Sequence, residues 1–156
     1  MIAVRPYGAG DAAAFLALMR ACRRHYGCEP IPDADEREML AELSAPHGMQ
    51  ADIAWEDAAA VGFACWQRVF PASASFAIYM KELFVTEAAR GTGAGRALMA
   101  GLARRAMESG WDQVRWETKE PEAKRFYARL GARDDGKTHY TLAGEDLAEL
   151  AGSRPA

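Results

Sequence analysis

Between Glu82 and Arg96 the chain reads Glu-Leu-Phe-Val-Thr-Glu-Ala-Ala-Arg-Gly-Thr-Gly-Ala-Gly-Arg, and no other stretch constrains the fold as much. Leu83, Phe84 and Val85 form a short apolar run of strand-forming type, and Thr86 to Ala89 turns away from it. Arg90 to Arg96 then opens a helix: apolar side chains return at Ala94, Leu98, Leu102 and Ala106, and Gly110 closes it. A strand, a glycine-rich loop and a helix start, in that order, make an anion site. The first N–H groups of a helix have no carbonyl partner, and the macrodipole puts its positive end there. Gly91, Gly93 and Gly95 admit φ > 0 and let a ligand approach bare backbone. The stretch therefore points to a phosphate-bearing ligand.

Spacing decides which phosphate loop this is. A P-loop ends in Gly-Lys-Ser or Gly-Lys-Thr, and the chain has neither. A dinucleotide loop follows its strand immediately and needs a Gly or Ala five residues after its first Gly. From Gly91 that position is Arg96, and from Gly93 it is Leu98. What the residues satisfy is Arg-x-x-Gly-x-Gly, at Arg90, Gly93 and Gly95. Further on, Trp116-Glu117-Thr118 is followed by Ala123-Lys-Arg-Phe-Tyr-Ala-Arg-Leu-Gly-Ala132. In this order the two blocks resemble the pyrophosphate loop and the later Ala-x-x-Phe-Tyr-x-x-Leu-Gly motif of the GNAT superfamily of N-acetyltransferases. The resemblance runs from about Tyr79 to Thr141.

It implies an acyl-CoA N-acyltransferase fold, with acetyl-CoA as cosubstrate and direct acetyl transfer to a primary amine. Such a transfer needs a neutral amine, donors for the carbonyl oxygen as it gains charge, and a donor for the leaving thiolate. Tyr127 matches the family tyrosine assigned as that last donor. On its helix Ala123, Phe126 and Leu130 share a face, and Tyr127 flanks the stripe, with its ring packed and its hydroxyl able to reach a neighbouring site. Glu82, on the strand just before the loop and on the face opposite Lys81 and Leu83, is the candidate for taking the amine proton, directly or through water. Cofactor contacts carried over by the resemblance are the main chain at Leu83, Phe84 and Val85, the loop Arg90, Gly91, Thr92, Gly93, Ala94, Gly95 and Arg96, and then Glu120, Ala123 and Tyr127. Main-chain N–H groups near Phe84 and Val85 would receive the oxyanion and the pantetheine arm.

Within the family the look is nearest to the small diamine- and polyamine-type enzymes. The strand Met80-Lys81-Glu82-Leu83-Phe84-Val85 and the ending Tyr140-Thr-Leu142, Glu145-Asp-Leu147 echo them. Two residues depart: Lys81 replaces a carboxylate that would favour a cationic substrate, and Glu120 stands where the later motif usually has Asn. A small-molecule amine is the expected acceptor, with a diamine, a polyamine and an amino-acid-like amine all open. The alternatives are a peptide or protein N-terminus as acceptor, and a catalytically silent CoA-binding or regulatory module.

The remaining elements follow from periodicity and punctuation. Ile2 to Val4 reads as a strand stopped by Pro6, and Asp11 as the N-cap of a helix through Tyr26 with Phe15, Leu18, Met19, Cys22 and Tyr26 inward. Asp33 with Glu36 reads as a capping box for a helix through Leu43, its buried edge Met39, Leu40 and Leu43. Ala51 to Trp55 and Val61 to Phe70 form a hairpin about Glu56-Asp57, followed by a turn at Pro71 to Ser75 and a long strand from Phe76 to Val85. Gln113 to Thr118 is a strand, Pro121 to Leu130 a helix, Thr138 to Leu142 a last strand, Glu145 to Leu150 a short helix, and Gly152 to Ala156 a frayed end. Helices first, antiparallel strands next and one strand–helix–strand crossover make a mixed α+β fold, mostly antiparallel and flanked by helices.

At 156 residues, without repeat or linker, residues 1–156 are expected to form one domain. A net charge of −3 argues against nucleic acid as the main partner. No run approaches the roughly 18 apolar residues of a membrane span, and the N-terminus has no signal-peptide pattern. Cys22, Cys28 and Cys65 show no paired motif, which suits a reducing cytoplasm. His25 and Cys28 lack a second ligand pair, so no metal is expected. Exposed strand edges suggest a homodimer.

Overall fold

The middle of the chain pairs as a meander before any crossover. In the computed structural model, which describes residues 1–72 and 75–152, the strands are β1 (Ile2–Pro6), β2 (Gln50–Glu56), β3 (Ala59–Val69), β4 (Ala77–Val85) and β5 (Val114–Arg115), and they lie in that order in one sheet. The first three pairings are antiparallel and the last is parallel. The helices are α1 (Ala12–His25), α2 (Asp33–Ser44), α3 (Ala94–Glu108), α4 (Pro121–Arg129) and α5 (Gly144–Leu150), giving a mixed α+β architecture. The chain divides into two compact units, Met1–Trp116 and the residues from Glu117 onward.

In the first unit strand alternation sorts residues between two faces. Ala51, Ile53, Phe63, Cys65 and Phe84 join Phe15, Leu18 and Cys22 of α1 and Leu43 of α2 in one apolar cluster. Asp52 and Trp66 have the other parity and meet Arg105 of α3, so α3 covers the opposite face. The foreseen stripe of α3, Ala94, Leu98, Leu102 and Ala106, is buried throughout. Phe15, Phe63, Ile53, Ile78, Leu98 and Leu102 are fully buried, each stabilising by about 1.5–3 kcal/mol through lost water contact. The charges under α3 are paired: Asp52 accepts from Arg105 at 2.8 Å and from Trp66 Nε1 at 3.1 Å.

Two irregularities bear on function. The register steps from Cys65↔Glu82 to Trp66↔Met80, which makes Lys81 the extra residue of a bulge in β4. Gly62 lies close against the β4 backbone: a Cβ there would lie 2.7 Å from Phe84 O, so only glycine fits.

Several local expectations are corrected. Asp11 does not cap forward onto α1. It accepts from Gly8 N–H at 2.8 Å and takes Arg5 in a bidentate grip at 2.6 and 2.7 Å, closing the 3-10 turn Ala9–Asp11. Tyr26, expected inside, is half exposed because α1 stops at His25 and Gly27 turns away at φ +67. The Asp33/Glu36 capping box is absent. Pro32 is the N-cap, and Glu36 turns to Arg20 of α1 at 2.5 and 2.7 Å, because a guanidinium offers a carboxylate more than a neutral amide does. β5 is only Val114–Arg115, since β4 pairs with it at Ile78 and Tyr79 alone. Thr138 to Leu142 is not a strand. Its alternation buries nothing (Tyr140 is 87% exposed), and without a buried face or a pairing neighbour alternation specifies no strand. Residues 73 and 74 of the expected 71–75 turn, and 153–156 of the expected frayed end, lie outside the described residues.

Candidate active site

β4 carries the groups that the sequence reading singled out, and its neighbours determine what they face. The only β4–β5 pairs are Ile78↔Val114 and Tyr79↔Arg115, so among the described residues of the first unit the β4 edge from Met80 to Val85 has no strand partner on that side. Thr86 donates its N–H to Val61 O at 2.9 Å, toward β3. Alternation then directs the N–H of Phe84 toward β3 and those of Leu83 and Val85 toward the open edge. Of the main-chain donors expected near Phe84 and Val85, the latter has the outward orientation, and Leu83 shares it.

Glu82 lies across from Cys65 and is half-buried on the face that α1 covers. Burial raises its pKa above the ordinary glutamate value, with the Lys81 charge and the Leu83 N–H pulling it partly back. The thiols nearby feel the same environment: burial, reinforced by the Glu82 charge, pushes Cys22 up to about 12 and raises Cys65 as well. Both are inert thiols rather than nucleophiles. A carboxylate with an elevated pKa, next to an edge of outward N–H groups, is suited to general base work near neutral pH.

The strand ends into a 3-10 turn, Glu87–Ala89, with Arg90 after it and the N-cap of α3 at Gly93. Gly91 and Gly93 have φ of +84 and +96, which a side-chain-bearing residue adopts only with strain. Thr92 does not face outward freely: its hydroxyl donates to Ala89 O at 2.7 Å and fastens the turn. Ala97 N–H takes Gly93 O at 2.9 Å as the first bond of the helix, so the amides of Ala94, Gly95 and Arg96 have no carbonyl one turn back. A Cβ built on Gly91 or Gly93 meets nothing within 4 Å. Bare backbone and helix-opening amides with open space above them fit a diphosphate. Ala94 is buried under the loop and Arg96 is exposed. Arg90 extends back toward β4, its Nε 3.4 Å from Val85 O and one Nη 3.4 Å from each ring nitrogen of His25.

Two cavities lie elsewhere. One of about 250 Å³ is lined by Met19, Arg23, Cys28, Ile31 and Asp33 among others, and one of about 160 Å³ runs between β1 and α3. Neither takes in a residue between 82 and 96, so this candidate site is an exposed edge and loop rather than either of these chambers.

In the second unit α4 begins with Pro121 at its first position and Glu120 as N-cap, and Gly131 ends it at φ +88. Glu120 is exposed, its N–H bonded to Thr118 Oγ1 at 3.1 Å. Ala123, Phe126 and Leu130 are half-buried, whereas Tyr127 is the buried residue of the helix, its ring centroid 5.1 Å from that of Phe126. Sequence reasoning weighed His25 only as a metal ligand beside Cys28, and it missed the bulge at Lys81. The contact of His25 with Arg90 joins residues 65 positions apart, and a bulge leaves no signal in an otherwise continuous strand.

Comparison with known proteins bears on the family and the fold. The acetyltransferase (GNAT) family model matches residues 13–132. An integron cassette protein from the mobile metagenome of V. cholerae is 27% identical, with 96% of this chain and 97% of that one covered at a TM-score of 0.81. A ribosomal-protein-alanine N-acetyltransferase from Brucella melitensis biovar Abortus is 21% identical, with 92% and 100% covered at 0.73. AAC(6')-Iy in complex with the bisubstrate analogue CoA-S-monomethyl-acetylneamine is 17% identical, with 92% and 99% covered at 0.79. No curated protein matches the chain.

Proposed function

The chain belongs to the GNAT family of acetyl-CoA-dependent N-acetyltransferases, and from that premise we propose that it acetylates the primary amine of a small molecule. The observation that carries the reading is the continuity of the unpaired β4 edge with the glycine loop and the opening amides of α3. The amides of Gly91 and Gly93 to Arg96 hold the diphosphate, and the outward N–H groups of Leu83 and Val85 take the pantetheine arm and the carbonyl oxygen as it gains charge. Acetyl-CoA supplies the thioester acetyl group.

Glu82 removes the acceptor's proton. An amine with a pKa near 10.4 is neutral in only about one part in 2,500 at pH 7, which is roughly 4.6 kcal/mol of barrier if nothing accepts that proton. Because burial holds Glu82 above the ordinary carboxylate range, it is a stronger base than a solvated glutamate. Tyr127 donates to the leaving thiolate. A phenol near pKa 10 is a weaker acid than a thiol near 8.5, so its part is a hydrogen bond rather than an early proton transfer. Lys81, bulged out beside Glu82, adds positive charge there, which favours an amino-acid-like acceptor over the diamines and polyamines that the strand otherwise suggests.

The second reading is a peptide or protein N-terminus as acceptor, favoured by the open edge at β4. We further take the enzyme to work in the cytoplasm and to pair with a second copy. Among the described residues no helix is long and apolar enough to cross a membrane. The test is thiol release from acetyl-CoA with a panel of amino acids, diamines, polyamines and short peptides. Turnover confined to small amines supports the proposal, turnover with peptides alone moves it to the second reading, and CoA binding without turnover leaves a silent module.

A further inference from the structure

His25 is the last residue of α1 and lies against two parts of the donor site at once. Its ring is 6.1 Å from that of Phe84 on β4, and one Nη of Arg90 stands 3.4 Å from both Nδ1 and Nε2. That equality fixes the geometry. An atom equidistant from the two ring nitrogens at this distance would, in the ring plane, collide with ring carbons, so the guanidinium lies over the imidazole face. An imidazole face can receive a guanidinium as other aromatic faces do. The other side of Arg90 is turned to Val85 O at 3.4 Å, too long for a strong hydrogen bond. The ring is therefore the main restraint on a long, exposed side chain that otherwise carries considerable rotamer freedom.

We propose that His25 is a positioning residue for the acyl donor: it holds the Arg90 guanidinium at the end of β4, where that charge meets the diphosphate bound by the neighbouring loop. This rests on the reading that residues 91–96 bind the diphosphate of CoA. Without the ring face Arg90 samples many rotamers, and binding must then order it at the expense of affinity. The effect acts on donor binding and leaves the transfer step alone.

The experiment measures CoA affinity by calorimetry, together with acetyl-CoA KM and kcat, for wild type, His25→Ala, His25→Leu, His25→Phe, Arg90→Ala and the His25→Ala/Arg90→Ala double variant. His25→Ala and His25→Leu should weaken CoA about 2- to 5-fold and raise KM with kcat kept, as expected for loss of one exposed cation–π contact. His25→Phe, which keeps a flat ring, should stay within about twofold of wild type. Arg90→Ala should weaken CoA at least as much, and adding His25→Ala to it should change nothing further. Losses that multiply in the double variant, an unaffected His25→Ala, or a failure of His25→Phe to rescue would overturn the inference while leaving the diphosphate reading in place. Should His25→Ala not fold, the Leu and Phe variants decide on the same terms. A wild-type protein that does not bind CoA at all ends both.

Discussion

Gly93→Ala separates what the loop costs the fold from what it does for the ligand. Gly93 is the N-cap of α3 at φ +96 and ψ 0, and an added Cβ meets no protein atom within 4 Å. The folded state therefore loses only backbone energy, about 1–2 kcal/mol for an L-residue forced into this region. In a protein of this size that lowers Tm by about 2–8 °C. Gly110, just past the other end of α3, has φ +73 and the same open surroundings, so Gly110→Ala carries a similar strain and serves as the control. The two differ in what occupies the open space. On the proposed reading, the new methyl at Gly93 stands where the diphosphate approaches the amides of Ala94 to Arg96. Disrupting one charge-assisted hydrogen bond costs about 1.5–3 kcal/mol, or roughly 10- to 100-fold in affinity. Calorimetric titration with CoA and thermal melts of both variants read the two effects independently. Equal Tm losses with CoA binding impaired only in Gly93→Ala is the expected pattern. Equal CoA affinity in both variants would refute the assignment of the diphosphate to this loop.

Tyr127→Phe should lower kcat about 10- to 100-fold with acetyl-CoA KM little changed, the size expected for loss of one hydrogen bond of about 1.5–3 kcal/mol to a charged group; full turnover would remove the phenol from the reaction. Glu82→Gln should abolish the acidic limb of the kcat/KM profile, and in wild type that limb should lie above the ordinary glutamate pKa, because burial raises the group. The sign for stability is opposite to that for activity. A carboxyl whose folded pKa is raised loses stability as pH rises from its unfolded value through its folded one, so Glu82→Gln should melt no lower than wild type at pH 8. Gly62→Ala drives a Cβ to 2.7 Å from Phe84 O and 3.3 Å from Val85 Cα, both backbone, so β4 must shift. A loss of about 1–3 kcal/mol follows, read as a lower Tm, and activity should fall with it because the shifted residues border the open edge.

Much of this arrangement was readable from local pattern. The α3 stripe and its glycine brackets follow from period and φ preference alone, and the loop could be told from two other phosphate loops by counting residues. What escaped local reading depends on which of several partners a side chain takes. Glu36 fits a capping box, yet Arg20 of the preceding helix claims its carboxylate. Asp11 fits an N-cap, yet Arg5 and Gly8 hold it. Thr138 to Leu142 alternates like a strand, but alternation has meaning only against a surface that buries one side. Within the site, Glu82 and the loop were visible as residue types in order. The bulge at Lys81, the divergence of β5 after Tyr79 and the stacking of Arg90 on His25 arise from strand pairing and packing that no window of sequence contains.

The most direct measurement is a backbone amide NMR titration with CoA, run beside one with pantetheine, which lacks the diphosphate. If the glycine loop grips that group, CoA should move the resonances of Gly91 and of Gly93 to Arg96 furthest, while pantetheine leaves them in place and shifts Leu83 and Val85. Loop amides that stay unmoved as CoA saturates the protein would contradict the account.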